Sequence, residues 1–365
     1  MSTNLMQASN QWRSRPADER FLNLVDMQEH FKHIRDNSRA AVISSRGLAV
    51  APVEGSHEGL QAVIRGDDRP LELTHWSFGQ ICQRAGAPAG YLREIPSELA
   101  ADCVNYGLHV NRDMADVGVL SYRNGGDPML RAVTGPAYGR VWNETLTNAL
   151  VRRFGDGISG NFKVPGEFGR DVVVTKDNTT LYASDRDMFV FLADEKNRIE
   201  IPNRRNGESG SLARGFFMWN SEVGDKTFGV ATFYFDYACS NRIVWGAEGY
   251  SEITVRHTAS APDKWIEQVA PAIEQYANAP TTNIVAAVER AQKAKVEKLD
   301  DFLASRFTKK VATAVKAAHM ADEQRPIESL WDVATGITAF ARSVQQQDER
   351  VGLEREAGRI LSLAK

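Results

Sequence analysis

Val117-Gly-Val-Leu-Ser-Tyr-Arg-Asn-Gly-Gly-Asp-Pro-Met-Leu-Arg-Ala-Val-Thr134 is the stretch that decides the fold. Val117 to Arg123 reads as a strand, Asn124-Gly125-Gly126 suits the positive backbone angles of a tight turn, and Met129 to Thr134 reads as a second strand. A β-hairpin in the middle of the chain predicts an antiparallel sheet. After it, Trp142, Leu146, Leu150 and Phe154 keep helical spacing, with Trp142 expected partly buried near the helix start. Short β-rich pieces follow at Val172 to Thr175, Leu181 to Ala183, Met188 to Ala193, Arg198 to Ile201, Thr227 to Tyr237 and Ile253 to Arg256.

Upstream, Pro16 precedes Phe21, Leu24, Val25, Met27, Phe31 and Ile34, an amphipathic helix pattern, and Ala41 to Val53 is β-like. Thr74 can cap a helix carrying Phe78, Ile81, Cys82 and Ala85 that Gly86 ends, and Ser97 can cap another with Leu99, Ala100, Cys103 and Val104. Beyond Pro262 the strands stop. Apolar residues at helical spacing run through Val285, Val288, Val296, Leu299, Leu303 and Phe307, and Pro326 opens a helix through Leu330, Trp331, Val333, Ile337 and Phe340. The expected fold is α+β: a helical segment 1–39, a largely antiparallel sheet flanked by helices over 40–260, and a helical C-terminal domain or arm over 261–365. The C-terminal helices are expected to be dispensable for the sheet and to mediate homo-oligomerisation through their apolar stripe.

The chain has 365 residues, with 44 Lys and Arg against 47 Asp and Glu, for a formal charge of −3 at pH 7. That balance excludes a globally basic protein, so any anion-binding surface is local. Three cysteines, Cys82, Cys103 and Cys239, lack CxxC spacing and exclude a disulfide framework. Without a secretory leader pattern or a long apolar run, the chain is expected to be cytoplasmic and not membrane-bound.

Three separated stretches resemble a family of phage- and plasmid-encoded proteins that share domain of unknown function 932. The first is Gln80-Ile-Cys-Gln-Arg-Ala-Gly-Ala-Pro-Ala-Gly-Tyr91-Leu92 with Asn105 beyond it. The second is Leu130-Arg131-Ala132-Val133 with Tyr138 and Trp142-Asn143. The third runs through Trp219-Asn220-Ser221-Glu222-Val223-Gly224, Cys239-Ser240-Asn241 and Arg256-His257-Thr258. Asn241-Arg242 stands where the family often has Asn-Gly, and Thr134 where a serine is common. The resemblance covers about residues 70 to 260 and implies a mobile-element origin without an established activity. The motif residues it singles out are Arg131, Tyr138, Asn143, Asn220, Glu222, Cys239, Asn241, Arg256 and His257.

Asp185, Asp187, Asp194 and Lys196 have the order of a metal-dependent nuclease, yet Asp194-Glu-Lys-Asn197 between two β-runs is what a hairpin turn looks like. His30 and His33 lack further metal ligands, Cys239 with His257 fits a buried inert thiol, and Gly155 with Gly160 lacks the Lys-Ser/Thr pair of a phosphate loop. No catalytic residue, metal or cofactor is expected. Nucleic-acid binding rests on local charge: Lys196 to Gly215 carries five basic residues against two acids, with aromatics directly after it. Pro202 to Gly215 is expected to be an exposed loop in which Arg204, Arg205 and Arg214 hold phosphates, while Phe216, Phe217 or Trp219 stacks on a base. A second group, between Glu289 and Lys316, has eight basic residues against four acids. The reading is a non-catalytic single-stranded nucleic-acid-binding protein of replication or recombination. A metal-dependent processing enzyme and a protein-binding module acting on a host system stand as alternatives.

Overall fold

A computed structural model describes the chain apart from residues 1–16, 57–58, 112–115, 124, 165–172, 178, 206–207, 238–240, 244, 246–251, 345–346 and 365. After β1 (Arg20–Phe21), helix α1 (Leu24–Asp36) starts where the Asn23 side chain accepts the Asp26 N–H at 2.8 Å. It buries Leu24, Met27 and Phe31.

Six strands then build one sheet: β2 (Ser38–Ser44), β3 (Leu48–Pro52), β4 (Leu60–Ile64), β5 (Leu71–Leu73), β6 (Asp116–Tyr122) and β7 (Met129–Thr134). Their spatial order is β2-β6-β7-β5-β4-β3, so β2 and β3 are its two edges. The expected hairpin forms as β6 and β7, with Val119 opposite Val133. β4 and β5 were not anticipated; β5 is three residues long and pairs parallel to β7. Helix α2 (His75–Ala85), capped by Thr74 accepting the Ser77 N–H at 3.0 Å, and helix α3 (Ser97–Val110) cover one face of this sheet.

Helix α4 (Asn143–Phe154) leads into a nine-stranded sheet formed by β1 with β8 (Phe162–Lys163), β9 (Leu181–Ala183), β10 (Met188–Asp194), β11 (Ile199–Arg205), β12 (Glu208–Asn220), β13 (Phe228–Asp236), β14 (Asn241–Ile243) and β15 (Glu252–Val255). Its spine is β12, which pairs antiparallel with β10, β11 and β13. Residues 173–175 form no strand, whereas a strand was expected over Val172 to Thr175; Val172 lies outside the described residues.

The C-terminal helices are α5 (Ala270–Ala277), α6 (Thr282–Lys293), α7 (Leu299–Ala304), α8 (Lys309–Glu323), α9 (Leu330–Ser343) and α10 (Gln347–Leu361). They share one core with the sheet: Ile199, Ile201, Leu212 and Tyr234 pack with Val288, Leu303, Trp331 and Ile337. The stripe from Val285 to Phe307 is spent on that core and is not free to drive association. The chain is therefore α+β, with a helical C-terminal region packed onto the antiparallel sheet it follows.

Candidate nucleic-acid interface

The expected loop from Pro202 to Gly215 is instead the end of β11 and most of β12. Pro202 is tolerated because β11 is an outer strand, bonded among the described strands only to β12. The glycines serve close approach, not mobility: a Cβ on Gly215 would meet the Phe233 ring at 2.3 Å, and one on Gly210 the Arg204 side chain at 2.4 Å. Arg204 is 1% exposed, with Nη1 on Glu323 Oε1 at 3.0 Å and Nε on Asp236 Oδ2 at 2.7 Å. Arg214 is buried and donates to the Pro280 carbonyl at 2.9 Å.

Phe216 joins the core under α1 and α4, and Phe217 and Trp219 join an aromatic core on the opposite face, where Phe191 and Phe217 stack at 5.1 Å. Both faces are core, because the sheet is covered on each side. These arginines and aromatics are thus corrected from an exposed binding loop to interior residues. Cys239 and the side chains of Arg205 and Asn241 lie outside the described residues.

The residues of the family-like motif behave differently, and six of them meet. After β12, Asn220 to Gly224 passes between the two sheets. The Glu222 carboxylate takes Arg131 Nη1 at 3.0 Å on one oxygen and the Asn143 backbone N–H at 2.8 Å on the other. The second bond puts a carboxylate at the N-terminus of α4, where the helix dipole favours it. Asn220 Nδ2 donates to the Val141 carbonyl at 2.8 Å and to Asn143 Oδ1 at 2.7 Å, and the Tyr138 hydroxyl donates to the Ser221 carbonyl at 2.9 Å. Gln80 ties the knot to α2, donating to the Val223 carbonyl at 2.8 Å and accepting the Val133 N–H at 2.8 Å. His257 stacks on Tyr138 at 4.8 Å, and its Nδ1 lies 3.0 Å from the Gly139 carbonyl, so Nδ1 carries the proton. Burial lowers the His257 pKa below 6.5. Arg256 is exposed and stands apart.

Every charge in this knot is satisfied within it, which gives these residues a positioning role. What they position is the segment 135–142. There Tyr138, Arg140 and Trp142 are half-buried while Gly139 and Val141 between them are buried, the alternation of an extended backbone with one face inward. The outward face forms one wall of a cleft of about 270 Å³ whose floor is Ala40, Val42, Gly118 and Thr134. The Arg35 guanidinium, from the last turn of α1, lies 3.7 Å from the Trp142 ring centre. Arg140 lies 5.6 Å from the same ring and 5.3 Å from Tyr138. No carboxylate among the described residues forms an ion pair with Arg35. Arg140 donates Nη1 to the Glu222 carbonyl, and burial lowers its pKa to about 10, still charged at neutral pH.

Arg35 and Arg140 were not among the expected site residues. The signal available was the alternation Tyr138-x-Arg140-x-Trp142; Arg35 is brought in only by tertiary packing of α1 on α4. A larger cavity of about 610 Å³ at the turn between α5 and α6 is lined by Pro271, Glu274, Gln275 and Asn278 among others, with one carboxylate and no cation, and does not suit a phosphate.

The nuclease reading finds no site. Asp194 accepts the Asn197 N–H at 3.0 Å as a turn residue, Asp187 accepts the Ser184 hydroxyl at 2.7 Å, and Asp185 lies 3.7 Å from the Arg186 guanidinium. Among the described residues, no group of three or more His, Cys, Asp or Glu is arranged to hold a metal ion, and no helix is long and apolar enough to cross a membrane. No family model matches the chain, nor does any curated protein or solved structure.

Proposed function

We propose that the protein binds single-stranded nucleic acid without chemistry, through the cleft bounded by Arg35, Tyr138, Arg140 and Trp142. The observation that carries this reading is the Arg35 guanidinium 3.7 Å from the Trp142 ring, with no carboxylate ion-paired to it among the described residues. An arginine stacked on an aromatic face keeps its in-plane N–H donors for phosphate, and an unpaired base can lie on the exposed guanidinium plane or replace it on the indole. A duplex keeps its base faces inside the stack and gains nothing from such a platform. The family resemblance adds replication or recombination of a mobile element as the setting. A reducing cytoplasm fits the buried Cys82 thiol, whose pKa burial raises to about 11.

The test is fluorescence anisotropy of a labelled thymidine oligomer titrated with the whole chain at several salt concentrations. Arg35→Gln is expected to reduce the slope of log affinity against log salt by about 0.7, one phosphate contact to a single strand. Trp142→Leu is expected to weaken binding by about 1 to 3 kcal/mol with little change of slope. Absence of wild-type binding at low salt, or unchanged binding in both folded variants, overturns the assignment.

A further inference from the structure

The two edges of the six-stranded sheet are treated in opposite ways. At the β3 edge the side-chain amide of Asn105, from α3, stands in for a neighbouring strand: Oδ1 accepts the Val50 N–H at 2.9 Å and Nδ2 donates to the Val50 carbonyl at 2.8 Å. That edge is closed to further pairing. The β2 edge has no such plug. No described strand pairs with its outer side, Arg39, Ala40, Ala41 and Val42 are all exposed, and Val42 is 58% exposed. β2 also lacks proline and bulge, and its single charge, Arg39, is exposed and lies on the same face as Ile43.

From the closed edge, the open edge and the residues along it, we infer that β2 pairs antiparallel with β2 of a second copy of this chain. The ladder to β6 runs in unbroken register from Ser38 opposite Tyr122 to Ser44 opposite Asp116, and it continues with the Arg123 N–H donating to the Asn37 carbonyl at 2.9 Å. Since hydrogen-bonding alternates along an antiparallel pair, Arg39, Ala41 and Ile43 bond inward to β6, and Ser38, Ala40, Val42 and Ser44 aim their backbone groups outward.

A twofold axis at Ala41 uses all seven residues. Ala40 then exchanges both backbone hydrogen bonds with Val42 of the other copy, and Val42 with its Ala40. Ala41 meets its own equivalent in a non-hydrogen-bonded pair, the closest approach in a sheet and one that suits a methyl side chain. Arg39 faces Ile43 of the other copy, so no like charges meet. The self-complementary strand favours a second copy over an unrelated extended peptide, which would leave the central alanine without a purpose. This inference stands apart from nucleic-acid binding. Its consequence is that both sheets become one, with the two Trp142 clefts on the same face.

Sedimentation velocity on the full chain tests it. The wild type is expected at twice the chain mass. Ala41→Lys and Ala41→Glu, each placing like charges directly opposite across the axis, are each expected at half that mass, and their equal mixture is expected to recover the doubled mass. Val42→Pro deletes an outward N–H while leaving the bonds to β6 in place, and is also expected to be monomeric. A monomeric wild type at every soluble concentration overturns the inference. So does a doubled mass retained by Ala41→Lys and Val42→Pro, or a mixture of folded Lys and Glu variants that stays at monomer mass.

Discussion

Arg204 beside Trp331, and Arg35 beside Trp142, are the same residue types in two settings. In the first, Asp236 and Glu323 surround the guanidinium and the indole is buried in the core that the sheet shares with the C-terminal helices, so the arginine joins the two. In the second, the nearby carboxylate Glu222 is already committed to Arg131 and to the start of α4, which leaves Arg35 on an aromatic face at the surface. Basic residues next to aromatics therefore do not identify a binding surface by themselves. What separates the two is whether the chain has brought its own carboxylates to the arginine.

The most severe break of this contrast is to remove residues 262–365. This takes away Glu323 and Trp331, the partners of Arg204, together with half of a shared core. The remaining fragment is expected to lose its cooperative melt and to aggregate; a soluble fragment melting like the whole chain would show that the sheet closes without the helices. Next in size, Arg204→Ala leaves Asp236 and Glu323 without their shared cation in the interior and is expected to cost about 3 to 5 kcal/mol in a urea titration.

At the cleft, Arg35→Ala is expected to change stability by less than about 0.5 kcal/mol, because surface substitutions are usually small, while weakening oligomer binding. Equal stability losses in Arg204→Ala and Arg35→Ala would erase the distinction between the regions.

The smallest effect is pH. Burial lowers the pKa of His257 at the cleft wall and of His319 near Arg204 below 6.5. The unfolded chain therefore takes up protons first, so stability is full above about pH 7 and falls as pH drops below the unfolded value. A melting series at falling pH is expected to show this decline, and His257→Gln or His319→Gln to flatten it.

Much of the fold was legible from local signals. The Val117–Thr134 hairpin, the Thr74 cap, the helix starting at Trp142 and the C-terminal helices each carry their own period or punctuation within about twenty residues. The 202–215 segment misled for a physical reason. Proline, glycine and arginine there read as a loop, but each answers to a distant partner: Gly215 to Phe233, Arg204 to Asp236 and to Glu323, which is 119 residues away. The cleft was half legible. Tyr138 and Trp142 stood out, whereas Arg35 reaches the site only once α1 packs on α4, and β4 and β5 were too short and too weakly patterned to be seen.

The pairing of β1 with β9, Arg20 opposite Tyr182 and Phe21 opposite Leu181, sets a schedule for the nascent chain. At about 5 to 20 residues per second, the roughly 160 residues between these strands take on the order of 10 to 30 s to synthesise. Throughout that interval the apolar stripe of Leu24, Met27 and Phe31 has left the ribosome while β9 and β10, which complete its core, have not been made. Rapid translation would shorten that exposure, and a holding chaperone would cover it. Slowing elongation before residue 181 should lower the yield of soluble protein while leaving the stability of the finished molecule unchanged.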